Sequence, residues 1–403
     1  MTTNSLHVVM VKGMSFIDKK VNLLLLVIPL YFTQGGLFPR GSVIPVLCVL
    51  IWLLLDAYYV YKTISTRKLL MFEKAILLFG VLSFISYLSS PKIIDTGLEI
   101  ISTYGELKNI LIMMFSYFPF RYAMDHNLIS HQYLRRYALL VFIVYTYAYF
   151  VKQSEALITM YWKDNVTNNG GYLIPLTIPL VALFMGKKSS YVYLAIGLVL
   201  VLTSAKRGAI LCSIVELLFF FWYLLFSGKR KKNIQLNQII IVLISVVSLS
   251  LIGYLVYQSN EYLVERILDT KSGDSSGRDT IYEDALNTFQ RSVFWNKVAG
   301  HGFFQNLHIN NVYAHSDWYE LLVDYGIVGV FIYSLIFLGL YFWFRKNSKY
   351  LQPCYRCMFV SAVSCWLMKS VFSMGFNSPE AAMLTVSLAI SMSSKRIVSD
   401  AKS

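Results

Sequence analysis

Charge is what this chain has least of. Only 14% of its 403 residues are Asp, Glu, Lys or Arg, against about 25% in an ordinary soluble domain. Acidic residues are the scarcer kind, 22 against 36 basic ones. With 56% hydrophobic residues and a mean hydropathy of +0.55, the chain lacks the polar surface a soluble protein of this size needs. The net charge of +14 raises the question of nucleic acid. No zinc-finger spacing, glycine-rich phosphate loop or basic recognition helix accompanies it, so no nucleic-acid partner is expected. Cysteine is sparse as well. Cys48, Cys212, Cys354, Cys357 and Cys365 lie mostly in apolar blocks and cannot build a disulfide framework. Cys354-x-x-Cys357 has no second pair of ligands nearby to complete a zinc site. A short cleavable signal peptide, an internal repeat and a low-complexity tail are also missing.

What is present is a series of apolar blocks of about 20 residues, the length that crosses a bilayer as a helix. Short alternating segments, which a membrane β-barrel requires, are not seen. The expected fold is therefore all-α: a polytopic helical membrane protein of about 12 transmembrane helices. The spans read as 21–38, 42–62, 71–90, 106–124, 137–152, 171–186, 190–205, 208–227, 237–257, 323–344, 355–374 and 377–393. With strict alternation, Lys19, Lys20, Arg67, Lys68, Arg135, Arg136, Lys187, Lys188, Lys229, Arg230, Arg345, Lys346, Lys395 and Arg396 fall on one side. That side is the cytoplasm by the positive-inside rule, and it holds both termini. Three parts follow: a bundle over 1–257, a large outer loop over 258–322, and 323–403 with the last three spans and a tail.

The outer loop differs in composition from the rest. Lys271-Ser-Gly-Asp-Ser-Ser-Gly277 is a flexible run. After it, Ile281, Ala285, Leu286 and Phe289 recur at helical spacing, and Thr280 and Glu283 stand at capping-box spacing. This predicts an amphipathic helix lying on the membrane face. Gly300-His-Gly302 then breaks the chain. His315 follows in a polar run that leads through Asp317, Trp318 and Glu320 into the next span.

Several residues stand out chemically. Lys206-Arg207-Gly208 separates two apolar spans on the charge-poor outer side, where cations are costly without a polar cavity or an anionic partner. A guanidinium fork suits phosphate. Arg278 stands at a predicted helix N-terminus, a natural anion site, and Arg266 and Arg291 share its loop. Lys369, near the outer end of its span, is placed to join them. His301, His308 and His315 are seven residues apart, a spacing that does not chelate a metal from one helix or hairpin. A neutral histidine instead accepts a proton from a sugar hydroxyl. His315 is the histidine nearest a span mouth, with Glu320 placed to orient its ring and Asp317 as a second neighbour. Asp56, Glu216 and Asp324 are further charges within spans; Asp56 and Glu216 are expected to be satisfied inside the bundle.

Taken together, Ser204-Ala-Lys-Arg207-Gly208, Ser276-Gly-Arg278, Gly300-His-Gly302-Phe and His315-Ser-Asp-Trp-Tyr-Glu320-Leu-Leu-Val-Asp-Tyr-Gly326 resemble, in order, the signatures of the bacterial O-antigen polymerase and O-antigen ligase superfamily. The resemblance covers about 203–335; Lys206 before the arginine is a small departure. It implies a GT-C-like, metal-independent glycosyltransferase without cofactor, acting on the periplasmic face of the inner membrane. The implied donor and acceptor are oligosaccharides linked to undecaprenyl pyrophosphate, with a chain-length regulator and a flippase as associated partners. His315 would assist deprotonation of the acceptor hydroxyl. Arg207 and Arg278 would hold the pyrophosphate. Lys206, Arg266, Arg291, Asp317 and Lys369 are the further candidates for substrate binding. A Wzy-type polymerase is the preferred form, an O-antigen ligase the alternative, and a lipid-linked oligosaccharide or solute transporter the alternative of another class. Against the last stands the absence of a repeat.

Overall fold

The innermost helix is made almost entirely of small and apolar residues. Ala382–Ser393 is buried at every position. Ala382, Ser387, Ala389, Ser391 and Ser393 keep its surface slim enough for neighbours to approach closely, as helices packed within a membrane require. Its hydroxyls are spent on carbonyls: Ser387 and Ser393 donate to residues four back, and Thr385 reaches Met113 O at 2.8 Å.

The computed structural model describes residues 19–95, 100–159, 168–226, 236–259 and 277–393, with Val264 and Leu268. Arg266, most of the flexible run over 271–277 and the Lys395–Arg396 pair lie outside the described residues. In chain order the helices are α1 Lys19–Tyr31, α2 Val43–Thr66, α3 Met71–Ser89, α4 Thr103–Phe115, α5 Tyr117–Asp125, α6 His131–Thr159, α7 Lys188–Thr203, α8 Arg207–Phe226 and α9 Leu236–Ser259. After the large loop begins come α10 Arg278–Arg291, α11 Phe294–Ala299, α12 Gln305–Asn310, α13 Asp317–Asp324, α14 Gly326–Asn347, α15 Pro353–Phe372 and α16 Ala382–Ser393.

The architecture is helical, as expected, with one addition. Ile93–Asp95 and Ile100–Ser102 pair as a small antiparallel ribbon, β1 and β2, with Ile94 opposite Ile101. Among the described residues five helices are long and apolar enough to cross a membrane: α2, α3, α6, α8 and α14 with its short continuation. They present Leu50, Leu54, Leu88, Leu218 and Phe331 outward, the apolar exterior a lipid environment accepts. Within the bundle α8 runs along α15, α14 along α3, and α16 against α15 and α5.

Four expected spans are not continuous helices, and proline accounts for two of them. The first, expected over 21–38, is helical only to Tyr31. The 106–124 block divides at Ser116 into α4 and α5. Pro119 would set its ring against the carbonyl four residues back, that of Phe115, where α4 ends. The 171–186 block is a 3-10 turn Asn169–Leu173, a single turn Ile178–Val181 and a second 3-10 turn Ala182–Phe184. Pro175 and Pro179 interrupt its ladder. The last block, expected from 377, becomes α-helical only at Ala382, after a 3-10 turn at Pro379–Ala381.

The amphipathic helix is found as α10, but Gly277 (φ 78°) caps it, and Thr280 Oγ1 donates to Gly277 O at 2.7 Å. The expected Thr280–Glu283 box therefore does not form. Ala285 on its inner face is buried, and α10 packs on α13, with Tyr282 stacked on Tyr319 at 4.4 Å.

Candidate active site

The site begins with two backbone kinks. Ala205 (φ 51°) and His315 (φ 54°) both occupy the left-handed region, which costs a residue with a Cβ about 1–3 kcal/mol and persists only where surroundings enforce it. At Ala205 the enforcement is a tight crossing. Asn168 N–H donates to Ser204 O at 3.0 Å. A Cβ on Gly171 would come within 2.3 Å of Ser204 Oγ, and one on Gly208 within 2.0 Å of the Tyr172 hydroxyl. The Lys206-Arg207-Gly208 junction is thus locked against the broken 169–184 segment, with Arg207 as the first residue of α8.

At His315 the enforcement comes from α13. Glu320 is fully buried and accepts from Ala314 N–H and, at 3.0 Å, from Asn306 Nδ2. Ser316 Oγ donates to Ser370 O at 3.2 Å. Asp317, also fully buried, accepts from Tyr333 Oη (2.6 Å), Gly375 N–H (2.7 Å) and Phe376 N–H (3.2 Å). The residues flanking His315 are therefore riveted to α14, α15 and the turn after α15. This corrects the expectation for Glu320: its oxygens are taken by Ala314 and Asn306, so it braces the backbone before His315 and does not orient the ring. Burial is the main cause that raises both acids, Asp317 to about 6 and Glu320 to about 8.

One cavity of about 460 Å³ gathers three of the candidates, while Arg207 and Arg278 are not among the residues that line it. Lys206, His315 and Lys369 line it together with Asn169 and Tyr172. Lys206 Nζ donates to Asn169 Oδ1 at 2.7 Å. Lys369 is 4% exposed, donates to Met374 O and lies 5.2 Å from the centre of the Tyr172 ring. The His315 ring keeps an edge open to solvent, yet desolvation lowers its pKa from 6.5, and the charges of Lys206 and Arg278 lower it further. Arg278 thus acts on the ring from the start of α10. A histidine in this field is neutral at pH 7 and able to accept a proton. The same cations suit an anion beside it.

Other candidates lie elsewhere. Arg291 is exposed in the last turn of α10, where its charge complements the helix C-terminus. The His301 ring bonds Ser292 Oγ at 2.6 Å, and the His301 backbone N–H donates to Val323 O at 2.9 Å. His308 is exposed on α12. Asp324 holds Asn306 N–H at 2.7 Å. Asp56 takes a long hydrogen bond from Ser116, 3.4 Å, and Glu216 is buried near Cys212 and Cys365, but Asp56 Oδ1 and both Glu216 oxygens have no hydrogen-bond partner among the described residues, so the expected satisfaction inside the bundle is incomplete.

Sequence reasoning passed over half of the cavity. Glu106, Lys108 and Asn109 of α4, Lys152 of α6, and Asn377 and Glu380 before α16 line it too. Lys152 and Glu380 form an ion pair of 2.8 Å. The available signal was position: each charge falls at or near an expected outer span end.

Residues 192–334 match the family described as O-antigen ligase. The matched segment contains Lys206, Arg207, Arg278, His315, Asp317 and Glu320; α1 to α6 precede it and Lys369 follows it. A search among curated proteins found no match.

Proposed function

We propose that this chain is a membrane glycosyltransferase of the O-antigen polymerase and ligase superfamily, using saccharides carried on undecaprenyl pyrophosphate. The observation that carries the reading is that His315 lines one cavity together with the cations Lys206 and Lys369. The match over 192–334 supports it. An acceptor hydroxyl, placed at His315, gives its proton to the imidazole as its oxygen attacks the anomeric carbon. The bond from that carbon to the pyrophosphate oxygen breaks, and the lipid pyrophosphate leaves. Lys206, Arg207, Arg278 and Lys369 meet the charge that develops on the leaving group. These cations perform the neutralisation for which other transferases use a divalent ion, so chelator is expected to leave the rate unchanged. The cavity lies on the periplasmic side of about twelve spans in the bacterial inner membrane, with both termini cytoplasmic.

Within this class we favour the polymerase, which joins lipid-linked repeat units; the ligase, which moves a finished chain onto lipid A–core, is the alternative. A deletion strain separates them on a lipopolysaccharide gel. A band of core plus one repeat unit with no ladder supports the polymerase, and bare core supports the ligase. An unaltered lipopolysaccharide pattern, together with no turnover of lipid-linked repeat units by purified protein, would refute both.

A further inference from the structure

The cavity has a second wall that the transfer step leaves unused. Glu106 organises it. Its carboxylate accepts from Asn377 Nδ2 and, at 3.4 Å, from the hydroxyl of Tyr313, and Asn109 hydrogen-bonds to the same carboxylate. A carboxylate only accepts, so each amide presents its nitrogen to Glu106 and turns its carbonyl away. Those carbonyls are unmet: Asn109 Oδ1 and Asn377 Oδ1 are buried and have no hydrogen-bond partner among the described residues. Buried polar atoms are rarely left so, because an unsatisfied acceptor costs about 1–3 kcal/mol. Both asparagines line the space that His315 also lines. Tyr313 ties this wall to the base, since its ring lies 6.4 Å from that of His315.

We infer that Asn109 and Asn377, held by Glu106, form the subsite for the acceptor saccharide, their carbonyls receiving two of its hydroxyl protons and so setting which hydroxyl faces His315. The inference rests on the glycosyl-transfer reading. The ligand is a hydroxyl-rich ring, because the unmet groups are acceptors; a phosphate, which carries only acceptors, has no proton to give them. Lys108 and Lys152 on the same wall supply donors for ring and hydroxyl oxygens. A smaller cavity of about 180 Å³ shares Tyr31, Lys152, Leu173, Pro379 and Glu380 with the first, giving an oligosaccharide room beyond one residue.

The test uses the full chain in lipid nanodiscs and two probes. One is the repeat-unit oligosaccharide freed from its lipid by mild acid, followed by saturation-transfer NMR. The other is undecaprenyl pyrophosphate. Asn109→Ala and Asn377→Ala are each expected to weaken oligosaccharide binding about three- to tenfold, the worth of one neutral hydrogen bond, and to leave undecaprenyl pyrophosphate within about twofold. Arg278→Ala is expected to do the reverse. Unchanged oligosaccharide affinity in both asparagine variants overturns the inference, as does a wild-type protein that binds no oligosaccharide, or an equal loss of both probes. If undecaprenyl pyrophosphate fails to bind while the asparagines still govern the oligosaccharide, the donor reading falls and the saccharide subsite stands.

Discussion

At the scale of the residue, His315 is where sequence and geometry meet most closely. A base within reach of a poor nucleophile contributes about 10²–10⁴-fold, so His315→Ala is expected to lose that much turnover of purified protein with lipid-linked repeat units. His308→Ala, an exposed position, should keep most of it. Full activity in His315→Ala would remove the base. The direction of the pKa shift adds a second expectation. Burial, then Lys206 and Arg278, lower the ring below 6.5, so the basic form persists into mildly acid solution and activity falls only as pH drops through that lowered value. Arg278→Ala removes one of the lowering charges. The acidic limb of its pH–rate profile should therefore move to higher pH, beside a lower maximal rate. An unmoved limb would show that Arg278 does not act on His315.

At the scale of the element, the Gly300-His-Gly302 motif has a structural meaning that its sequence hid. It docks by backbone on the joint between α13 and α14: His301 N–H donates to Val323 O and Gly302 N–H to Asp324 O. A Cβ on Gly300 would lie 2.1 Å from Asp324 O, and one on Gly326 2.6 Å from the nitrogen of Gly300. Both glycines also have positive φ, 81° and 63°. Gly326→Ala thus combines about 1–3 kcal/mol of backbone strain with a steric overlap that only a shift of α11 or α14 relieves. We expect a clear drop in the thermal unfolding temperature of the purified protein. Gly105→Ala, with no atom within 4 Å, serves as the comparison. Equal stability of the two variants would mean the crossing is looser than described.

At the scale of the whole molecule, the large loop's helices fold back on the bundle instead of standing free. The inner face of α10 meets α13, and α11 meets α14. Trp295 on α11 is 73% exposed, and Lys349 lies beyond the other end of α14. With Cys354 replaced by serine to silence the half-exposed native thiol, Trp295→Cys should react with a membrane-impermeant maleimide in intact spheroplasts. Lys349→Cys should react only after lysis. The opposite pattern would put the cavity on the cytoplasmic face and sink the proposed function, because the donor would then meet the wrong side.

Class, and much of the site, were legible in the sequence because both are local. Apolar blocks of membrane-spanning length and scarce charge specify helices in lipid whatever their partners. Lys206-Arg207 and His315 betray themselves as polar groups at the ends of such blocks. The role of Glu320 was not legible: a spacing of five residues suggests contact with a ring, while the left-handed turn at His315 hands the carboxylate to the Ala314 backbone. Nor could pattern alone place Glu106, Asn109, Asn377 and Glu380 opposite the histidine, since they come from segments more than 60 residues away and meet it only when α4 and the turn before α16 pack together. The sequence by itself determined which groups the chain carries at its membrane edges. Tertiary structure decided which of them share one cavity, because that depends on how the helices cross, and the crossings are set by small residues and backbone contacts between distant segments.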